Sequence, residues 1–583
     1  MPLAVALLFA PTLLPAIAWL VVRHPTDIVG LSPRVDDIGG PWFVLGLSVV
    51  WLVGPLALFG RSRLAVWALA PFALLAVPEA FYLLKFGQPS GPHVYGVLAE
   101  THADEVLAWL GPWWGWVLLT IMVSIAATVW ACRQWWIADW HWQHRSRLWC
   151  IGGLAAMLLM VIALVLAEGQ IADARDLEEL PSDPLTEDRE GLAARLEDSY
   201  PWGLPLRLAR FGHHLRRVEA RAQAVGRLDV GVRWISPAQQ DTPAVHVLVI
   251  GETARPDRWG LFGGARDTTP RLIARSGIIA FSDAVSAAAA TRESVPLLLT
   301  ASEAYDAPSL MVAFRQAGFR THWLSTQGAA GTHETPIAVL AHEADEHFYA
   351  NPVDYKGRGA LDGALLPRLK EILSRPEPRK LIVLHTLGSH LHYAHRYPPE
   401  FEHFVPALAS SDRPDIWHDR HTPALINAYD NSVRYTDWFL DAVIAELQGT
   451  GLSATLMFVA DHGEALFDGQ CRRAGHGFAA EVNYRVPMFF WLSDAWQAAN
   501  PQRTRALRAN RDQPVSGRSA YATMTRQAGF NVTKPGAFPD LGSVPYTPPV
   551  RWTLHHGNFD RDLRGRSCSG PSPKLAQVGA SAH

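Results

Sequence analysis

The residues best suited to chemistry follow two apolar runs that lie far apart in the chain. Glu252 comes directly after VHVLVIG (245–251), and Asp461 and His462 come directly after TLMFVA (455–460). Such continuous runs are typical of buried parallel strands, and ligands bind beyond the carboxyl ends of those strands. Two carboxylates and an imidazole at one sheet edge suit a divalent ion such as zinc or manganese. A helix cap or a fixed turn explains either motif alone, but the two together favour a metal site.

The stretch FSDAVSAAAATRESVPLLLT (281–300) offers a reacting group between the two motifs. A helix is predicted to begin near Ser294–Pro296, because proline is tolerated in a first helical turn. Thr291 then lies just ahead of the helix N-terminus, where N–H groups and the helix dipole attract anions. Coordination to a metal can turn a threonine hydroxyl into a nucleophile. On local grounds alone the simpler role of Thr291 is a helix cap, which Ser294 would fill equally well.

Five apolar stretches precede these motifs, and each is close to the ~20 residues that a helix needs to cross a bilayer. They are 3–22, 41–60, 64–84, 111–131 and 149–167. The first lacks the basic start of a secretory signal and is followed by further spans, so we expect it to remain as a transmembrane helix. Residues 1–167 are therefore predicted to form a five-helix transmembrane domain.

Basic residues in the loops predict how these spans are oriented. Two loops carry five basic residues, at Arg61, Arg63, Arg133, Arg145 and Arg147, and the other two loops carry three, at Arg23, Arg34 and Lys85. Since basic loops stay in the cytoplasm, the chain after the fifth span is expected on the opposite side. In a Gram-negative bacterium that side is the periplasm. We therefore predict a multi-pass inner-membrane protein with its catalytic domain in the periplasm.

Composition agrees with a membrane-anchored enzyme. The chain has 583 residues, of which 49% are hydrophobic, and it contains 23 tryptophans. Its net charge of −3 gives no sign of a nucleic-acid partner. Only four cysteines are present, and two of them, Cys471 and Cys568, lie on the expected oxidising side. The sequence leaves open whether these two form a disulfide.

The rest of the chain divides into three parts by its composition. Residues 168–242 predict a linker with an amphipathic helix over 204–223, which would lie on anionic headgroups or pack against the globular domain. Residues 243–548 alternate strand-like and helix-like segments, which predicts an α/β fold with a mainly parallel sheet sandwiched by helices. Residues 549–583 lack periodicity and are expected to form a poorly ordered tail. The expected strands are 245–250, 321–325, 380–386, 455–460 and 486–492, and the expected helices are 307–318, 361–374 and 422–447.

Six motifs resemble, in order, those of the phosphoethanolamine transferases, a family of the alkaline phosphatase–sulfatase superfamily. They are GETARPDRWGLFGGARDTTP (251–270), TRESVP (291–296), HTLGSH (385–390), LINAYDNSVRYTDWFL (425–440), VADHGEA (459–465) and AGHGF (474–478). The family includes enzymes that modify lipid A and the lipopolysaccharide core, and it too has five transmembrane helices before a periplasmic domain. The resemblance therefore implies an alkaline-phosphatase-like (sulfatase) catalytic domain and a membrane-bound transferase.

The resemblance also implies roles for individual residues. Glu252, Thr291, Asp461 and His462 match the ligands of one tight zinc site, and a second ion is possible in the family. Thr291 also matches the nucleophile.

Other positions match residues that contact the reacting groups. His390 and His476 match histidines that face the transferred phosphoryl group or a second metal. His385, Thr101 and Glu105 match positions expected to contact substrate, the last two within the segment VLAETHADEVLAWL (97–110).

The implied reaction moves phosphoethanolamine from the donor lipid phosphatidylethanolamine to a cell-envelope acceptor, through a covalent adduct on Thr291. The acceptor would be lipid A, the lipopolysaccharide core or another glycan. A membrane anchor suits this reaction, because the donor lies in the bilayer and is held at high local concentration.

Three departures from the lipid A enzymes argue for a different subgroup. AAAA (287–290) replaces a Cys-Gly-Thr stretch, Arg292 and Glu293 replace small or neutral residues, and STQGAAGTHET (325–335) lacks an Asn- and Lys-containing match. A phosphoglycerol transferase would use the same metal and threonine and stays open as an alternative. A sulfatase would need Cys or Ser in a Cys/Ser-x-Pro-x-Arg context, which TRESVP does not provide. A purely structural role would predict loss of the nucleophile, yet Thr291 is present.

Overall fold

The structure is a computed structural model that describes the following residues of the chain. These are residues 15, 53–86, 89–91, 94–96, 110, 114–156, 159, 199–201, 203–224, 229–301, 307–328, 336–351, 359–410, 412, 415–469, 471–533, 538–554 and 556–568. The chain forms two compact units, one made of residues 1–98 and 112–215 and the other of residues 99–111 and 216–583.

The first unit contains two long apolar helices, α1 (Ser62–Phe86) and α2 (Trp114–Ala138). Among the described residues, these two are long and apolar enough to cross a membrane. They correspond to the predicted spans 64–84 and 111–131. Helical residues at 53–59 and 146–156 fall at the end of the second predicted span and the start of the fifth. The remainder of these two spans and nearly all of the first lie outside the described residues, so the count of five stays a prediction.

Helices α1 and α2 pack through a narrow strip of small and aromatic residues. Ala65 and Ala131 are fully buried in this strip, and Ser62 Oγ donates a hydrogen bond to the Trp135 carbonyl at 2.9 Å. The outer faces carry apolar side chains such as Trp67, which is 69% exposed. Apolar outer faces suit helices that are surrounded by lipid, because water would not solvate them well.

The second unit is built on a seven-stranded sheet. Its strands in chain order are β1 (Ala244–Gly251), β2 (Ile278–Phe281), β3 (Arg320–Gly328), β4 (Glu346–Asn351), β5 (Arg379–His385), β6 (Ser453–Ala460) and β7 (Met488–Leu492). Their order across the sheet is β2-β7-β6-β1-β5-β3-β4. Strands β6, β1, β5, β3 and β4 pair in parallel, and β7 pairs antiparallel with both β6 and β2.

This sheet confirms the mainly parallel α/β prediction. The central strands β1 and β6 are almost fully buried along their length, as their continuous apolar runs predicted. The periodicity of the sequence did not reveal β4, whose residues are mostly half-exposed. A strand buried on neither face carries no continuous apolar run, which explains this omission.

Helices of varied length accompany the sheet. After α1 and α2 come α3 (Gly203–Ala224), α4 (Pro237–Asp241), α5 (Pro270–Ala274), α6 (Thr291–Leu299), α7 (Leu310–Gln316), α8 (Pro336–His342), α9 (Leu366–Leu373), α10 (Thr422–Gly449), α11 (Glu481–Tyr484), α12 (Asp494–Ala499), α13 (Pro501–Asn510) and α14 (Ala520–Gln527). The predicted helices at 307–318, 361–374 and 422–447 correspond to α7, α9 and α10.

The amphipathic helix predicted at 204–223 is α3. Within the second unit, Arg221 near its end is buried and pairs with Glu343 at 2.7 Å, and it also donates to the Ala307 carbonyl at 2.8 Å. The end of α3 therefore packs against the globular domain, which was one of the two alternatives that its sequence left open.

The tail prediction is wrong as far as Cys568. Residues 551–568 fold onto the second unit, where Phe559 and Leu563 are fully buried and Arg551 pairs with Asp283 and Asp560. A disulfide joins Cys568 to Cys471, and so resolves the pairing that the sequence left open. These contacts are long-range and leave no periodic trace in the sequence, so composition alone could not predict them. Residues 569–583 lie outside the described part of the chain.

Removing the Arg551 guanidinium should destabilise the second unit. Arg551 is fully buried, and Arg551→Ala leaves Asp283 and Asp560 with only the more exposed Arg564 as a shared partner. The free energy of unfolding should therefore fall by about 3 kcal/mol. Arg561, which is 52% exposed and pairs with Asp562, is the matched control, and Arg561→Ala should cost at most about 0.5 kcal/mol. Urea unfolding of the purified full-length protein measures both, and equal effects would contradict the buried pairing.

A close approach at Gly388 should make the edge of the sheet sensitive to a single methyl group. Gly388 has φ +45°, and an added Cβ would lie 2.7 Å from the Glu252 carbonyl oxygen and 2.9 Å from its nitrogen. Gly263 has φ +88° with nothing within 4 Å of such a Cβ. Both Ala variants carry backbone strain, but Gly388→Ala should lose about 1–3 kcal/mol more than Gly263→Ala because of the collision. The difference in urea unfolding measures this, and no difference would show that the strand ends are not closely packed.

Candidate active site

Glu252, Asp461 and His462 meet at one edge of the sheet. Glu252 follows β1, and the other two follow β6, the neighbouring parallel strand. The register pairs Gly251 with Ala460, and the Asp461 N–H donates to the Gly251 carbonyl at 2.9 Å. Because adjacent parallel strands end at the same edge, the two carboxylates lie side by side. The juxtaposition expected from the two apolar runs is therefore present.

Thr291 lies within reach of the same cluster. Its Oγ1 is 3.2 Å from each carboxylate oxygen of Glu252 and 3.1 Å from His462 Nε2. His462 Nε2 is also 3.5 Å from Asp461 Oδ2. The two acids and His462 are at most 1% exposed. The four side chains thus form one compact, water-poor group of oxygen and nitrogen donors.

The position of Thr291 follows from the segment ahead of it. Thr291 is the first residue of α6, and the preceding alanines 287–289 are buried. The Gly477 N–H donates to the Ala289 carbonyl at 2.9 Å, and Ser286 Oγ donates to the Asp461 carbonyl. These bonds are made by the backbone and by Ser286, so they hold the segment ahead of Thr291 without the side chains of AAAA (287–290).

Thr253 holds both carboxylates and was not singled out from the sequence. Its N–H donates to Asp461 Oδ1 at 3.0 Å, and its hydroxyl donates to Glu252 Oε1 at 2.6 Å. Its φ of +58° is unusual for a β-branched residue and carries strain. The Tyr429 hydroxyl donates to the Thr253 carbonyl at 2.8 Å and helps hold that conformation. The strain is local to the ends of the two carboxylate-bearing strands, where functional sites commonly store it.

The cluster has strong electrostatic coupling. Burial opposes the ionisation of Glu252, but the hydrogen bond and the charge of His462 outweigh it and hold the pKa of Glu252 well below its usual value. Burial and the neighbouring Glu252 charge raise the pKa of Asp461. Burial alone would lower the pKa of His462, but the charges of Asp461 and Glu252 raise it. The carboxylates therefore require a positive charge beside them.

The donor set fits a divalent metal ion. Ligand atoms of Glu252, Asp461 and His462 all lie within 4.8 Å of one another. Asp461 Oδ2 is buried and accepts no hydrogen bond from the described residues. A buried carboxylate oxygen without a partner is costly, and a cation removes that cost. Two carboxylates, one imidazole and one hydroxyl are ligands that zinc accepts.

His476 and His390 lie beside this cluster. The His476 ring centroid is 4.1 Å from that of His462 and 6.4 Å from that of His390. Nδ1 of His476 donates to the buried Glu464 at 2.8 Å, which leaves Nε2 for another partner. Burial, reinforced by the charge of His462, lowers the pKa of His476. His390 hydrogen-bonds through Nδ1 to the Leu391 carbonyl at 2.7 Å.

The three remaining predicted substrate contacts are placed differently. His385 ends β5, is 2% exposed and packs against Trp323 with ring centroids 5.5 Å apart. Burial lowers its pKa to about 4, so it is a neutral core histidine with little surface for a substrate. Thr101 and Glu105 lie outside the described residues, and their role stays a prediction.

Gln327 was also missed, and it contacts Glu252 directly. It lies near the end of β3, and its Nε2 donates to Glu252 Oε2 at 2.9 Å and to the Thr386 carbonyl at 3.0 Å. The only signal in the sequence was the polar character of STQG at the end of a strand. That signal does not reveal which neighbour the amide meets.

Comparison with known proteins agrees with the geometry. The family profile described as "Sulfatase" matches residues 245–529, which contain the seven-stranded sheet except for its first residue, Ala244. Phosphoethanolamine transferase CptA of Salmonella typhimurium is 28% identical over 484 residues, covering 78% of this chain and 78% of its own length. The Kdo(2)-lipid A phosphoethanolamine 7''-transferase of Escherichia coli is 30% identical over 337 residues, covering 55% of this chain and 57% of its own length.

A solved structure shares the fold over nearly the whole chain. The integral membrane protein lipooligosaccharide phosphoethanolamine transferase A from Neisseria meningitidis matches with a TM-score of 0.64, covering 93% of this chain and 99% of its own, at 18% identity. The order of motifs, the sulfatase-type sheet and these relatives lead to one conclusion. The chain carries a sulfatase-type domain and is similar in sequence to phosphoethanolamine transferases.

Proposed function

We propose that the protein transfers phosphoethanolamine from phosphatidylethanolamine to a cell-envelope acceptor through a covalent adduct on Thr291. One observation carries this proposal. The Thr291 hydroxyl lies 3.1–3.2 Å from Glu252 and His462 at the N-terminus of α6. A hydroxyl that is held against a carboxylate and an imidazole, where N–H groups favour anions, suits attack on a phosphodiester.

Glu252, Thr291, Asp461 and His462 would hold one zinc ion. When bound, zinc lowers the pKa of the threonine hydroxyl and stabilises negative charge on a phosphoryl oxygen. The buried Asp461 Oδ2, which has no hydrogen bond from the described residues, supports this assignment.

The chain's own residues would carry out a two-step exchange. Thr291 Oγ1 forms a bond to phosphorus, the bond to the diacylglycerol oxygen breaks, and diacylglycerol leaves with a proton. That proton is the one that the Thr291 hydroxyl gives up. His476 is suited to relay it, because Glu464 holds its Nδ1–H and its Nε2 can accept a proton and pass it to the leaving oxygen. An acceptor hydroxyl or phosphate then attacks the same phosphorus, its proton is removed, and Thr291 is regenerated. His390 would face the phosphoryl group, as its match to the family implies.

The relatives suggest where the enzyme works. The matched structure is named as an integral membrane protein and one relative acts on Kdo(2)-lipid A. We infer an inner-membrane protein with five spans, a catalytic domain in the periplasm, and lipid A, the lipopolysaccharide core or another envelope glycan as acceptor. The domain limits would be 1–167 for the membrane part, 168–242 for the linker, and a catalytic domain from 243 that includes the chain at least to Cys568.

Loss of the Thr291 hydroxyl should abolish the adduct. After incubation with phosphatidylethanolamine, intact mass should show a phosphoethanolamine adduct on the purified protein, and it should be absent from Thr291→Ala. Thr300, at the other end of α6, is the matched control, and Thr300→Ala should keep the adduct. An adduct of phosphoglycerol mass from phosphatidylglycerol would instead support the alternative headgroup. If no lipid gives an adduct, released diacylglycerol decides whether turnover occurs.

Zinc binding should release protons at neutral pH. His462 must be neutral to bind a metal, but Asp461 and Glu252 raise its pKa in the metal-free protein. Its proton must therefore leave, and binding should weaken as the pH falls. Calorimetry at pH 7 in two buffers of different ionisation enthalpy should report a release of about one proton or more per zinc. A binding enthalpy that does not depend on the buffer would contradict the raised pKa.

A further inference from the structure

Gln327 connects the carboxyl ends of three adjacent strands. Its backbone belongs to β3, and its amide nitrogen donates to Glu252 after β1 and to the Thr386 carbonyl after β5. The distances are 2.9 Å and 3.0 Å, both within the range of good hydrogen bonds. Among the described residues, Thr291 is the other side chain that donates a hydrogen bond to Glu252 Oε2, at 3.2 Å.

The orientation of the amide is fixed by its neighbours. A carboxylate and a carbonyl can only accept hydrogen bonds, so both hydrogens of the amide nitrogen are committed. Rotating the amide by 180° would place its oxygen against two acceptors and lose both bonds. The amide therefore presents its donor, and only its donor, to Glu252.

Glu252 is consequently held at both oxygens. Thr253 donates its hydroxyl to Oε1 at 2.6 Å, and Gln327 donates to Oε2. Two donors fix the plane of the carboxylate and leave its remaining lone pairs aimed at Thr291 and His462. Both donors are neutral, so they orient the carboxylate without cancelling its charge. A lysine in this position would orient Glu252 but would also compete with a bound cation.

We infer that Gln327 is a positioning residue that presents Glu252 to the metal ion. This inference rests on the proposed function, since it requires a metal at the Glu252, Asp461 and His462 cluster. Groups that orient metal ligands usually change metal affinity or activity by about 10- to 100-fold when they are removed. Gln327 is only half-buried, so replacing it by a side chain of equal length opens no cavity.

The test is zinc affinity in the purified full-length protein, measured by competition with a chelator. Gln327→Met keeps the length of the side chain and removes the donor, and zinc should bind about 10- to 100-fold more weakly. The unfolding temperature of the metal-free protein should not change. Gln497 is the matched control, because it is half-buried and donates through Nε2 to the Leu492 carbonyl at 2.9 Å, away from Glu252. Gln497→Met should keep the wild-type zinc affinity.

The outcomes separate the inference from the proposed function. If the unmodified protein binds no zinc, the proposed metal site fails. If it binds zinc and Gln327→Met binds equally well, the positioning role is wrong. A third outcome would also overturn the positioning role. Metal-free Gln327→Met would unfold at a lower temperature, but its zinc affinity would change no more than that of Gln497→Met. The amide would then act only on stability.

Discussion

The parallel pairing of β1 with β6 is the constraint on which the site depends. Two neighbouring strands that end in register place the carboxylates of Glu252 and Asp461 side by side in a region closed to water. Like charges in such a place repel, and burial raises the cost of each. Neighbouring groups offset part of this cost. They are the His462 imidazole, the Thr253 N–H and hydroxyl, and the Gln327 amide. A divalent cation would offset the remaining negative charge, so the arrangement suits metal-assisted chemistry.

The hydrogen bonds that offset the charge of the carboxylates also hold the ends of the strands in place. Thr253 stays in a strained conformation because its N–H and hydroxyl each meet a carboxylate and Tyr429 holds its carbonyl. Gly388 permits the β5 end to approach the Glu252 backbone, where a methyl group would collide. Rigid strand ends can therefore hold reacting groups to within a fraction of an ångström, as transfer between two bound partners requires.

His476 and Glu464 lie in a part of the site that is held by distant parts of the chain. His476 is oriented by Glu464, which also accepts from the Tyr393 hydroxyl. Arg255 bridges to Asp468 in the same region, residues 464–476. The disulfide between Cys471 and Cys568 links that region to the folded C-terminal segment. His476 is thus tied to the body of the domain by covalent and ionic contacts rather than by regular secondary structure.

The sequence by itself determined the class of fold and the core of the site. Apolar runs mark the buried strands β1 and β6, and because parallel strands end at one edge, they predicted that Glu252 meets Asp461 and His462. Only the tertiary structure decided what surrounds them. The contacts of Gln327, the strained Thr253, the burial of His385 and the folding of residues 551–568 all depend on neighbours that are distant in the chain. Periodicity reports which face of an element is buried, and it carries no information about which particular side chain lies opposite.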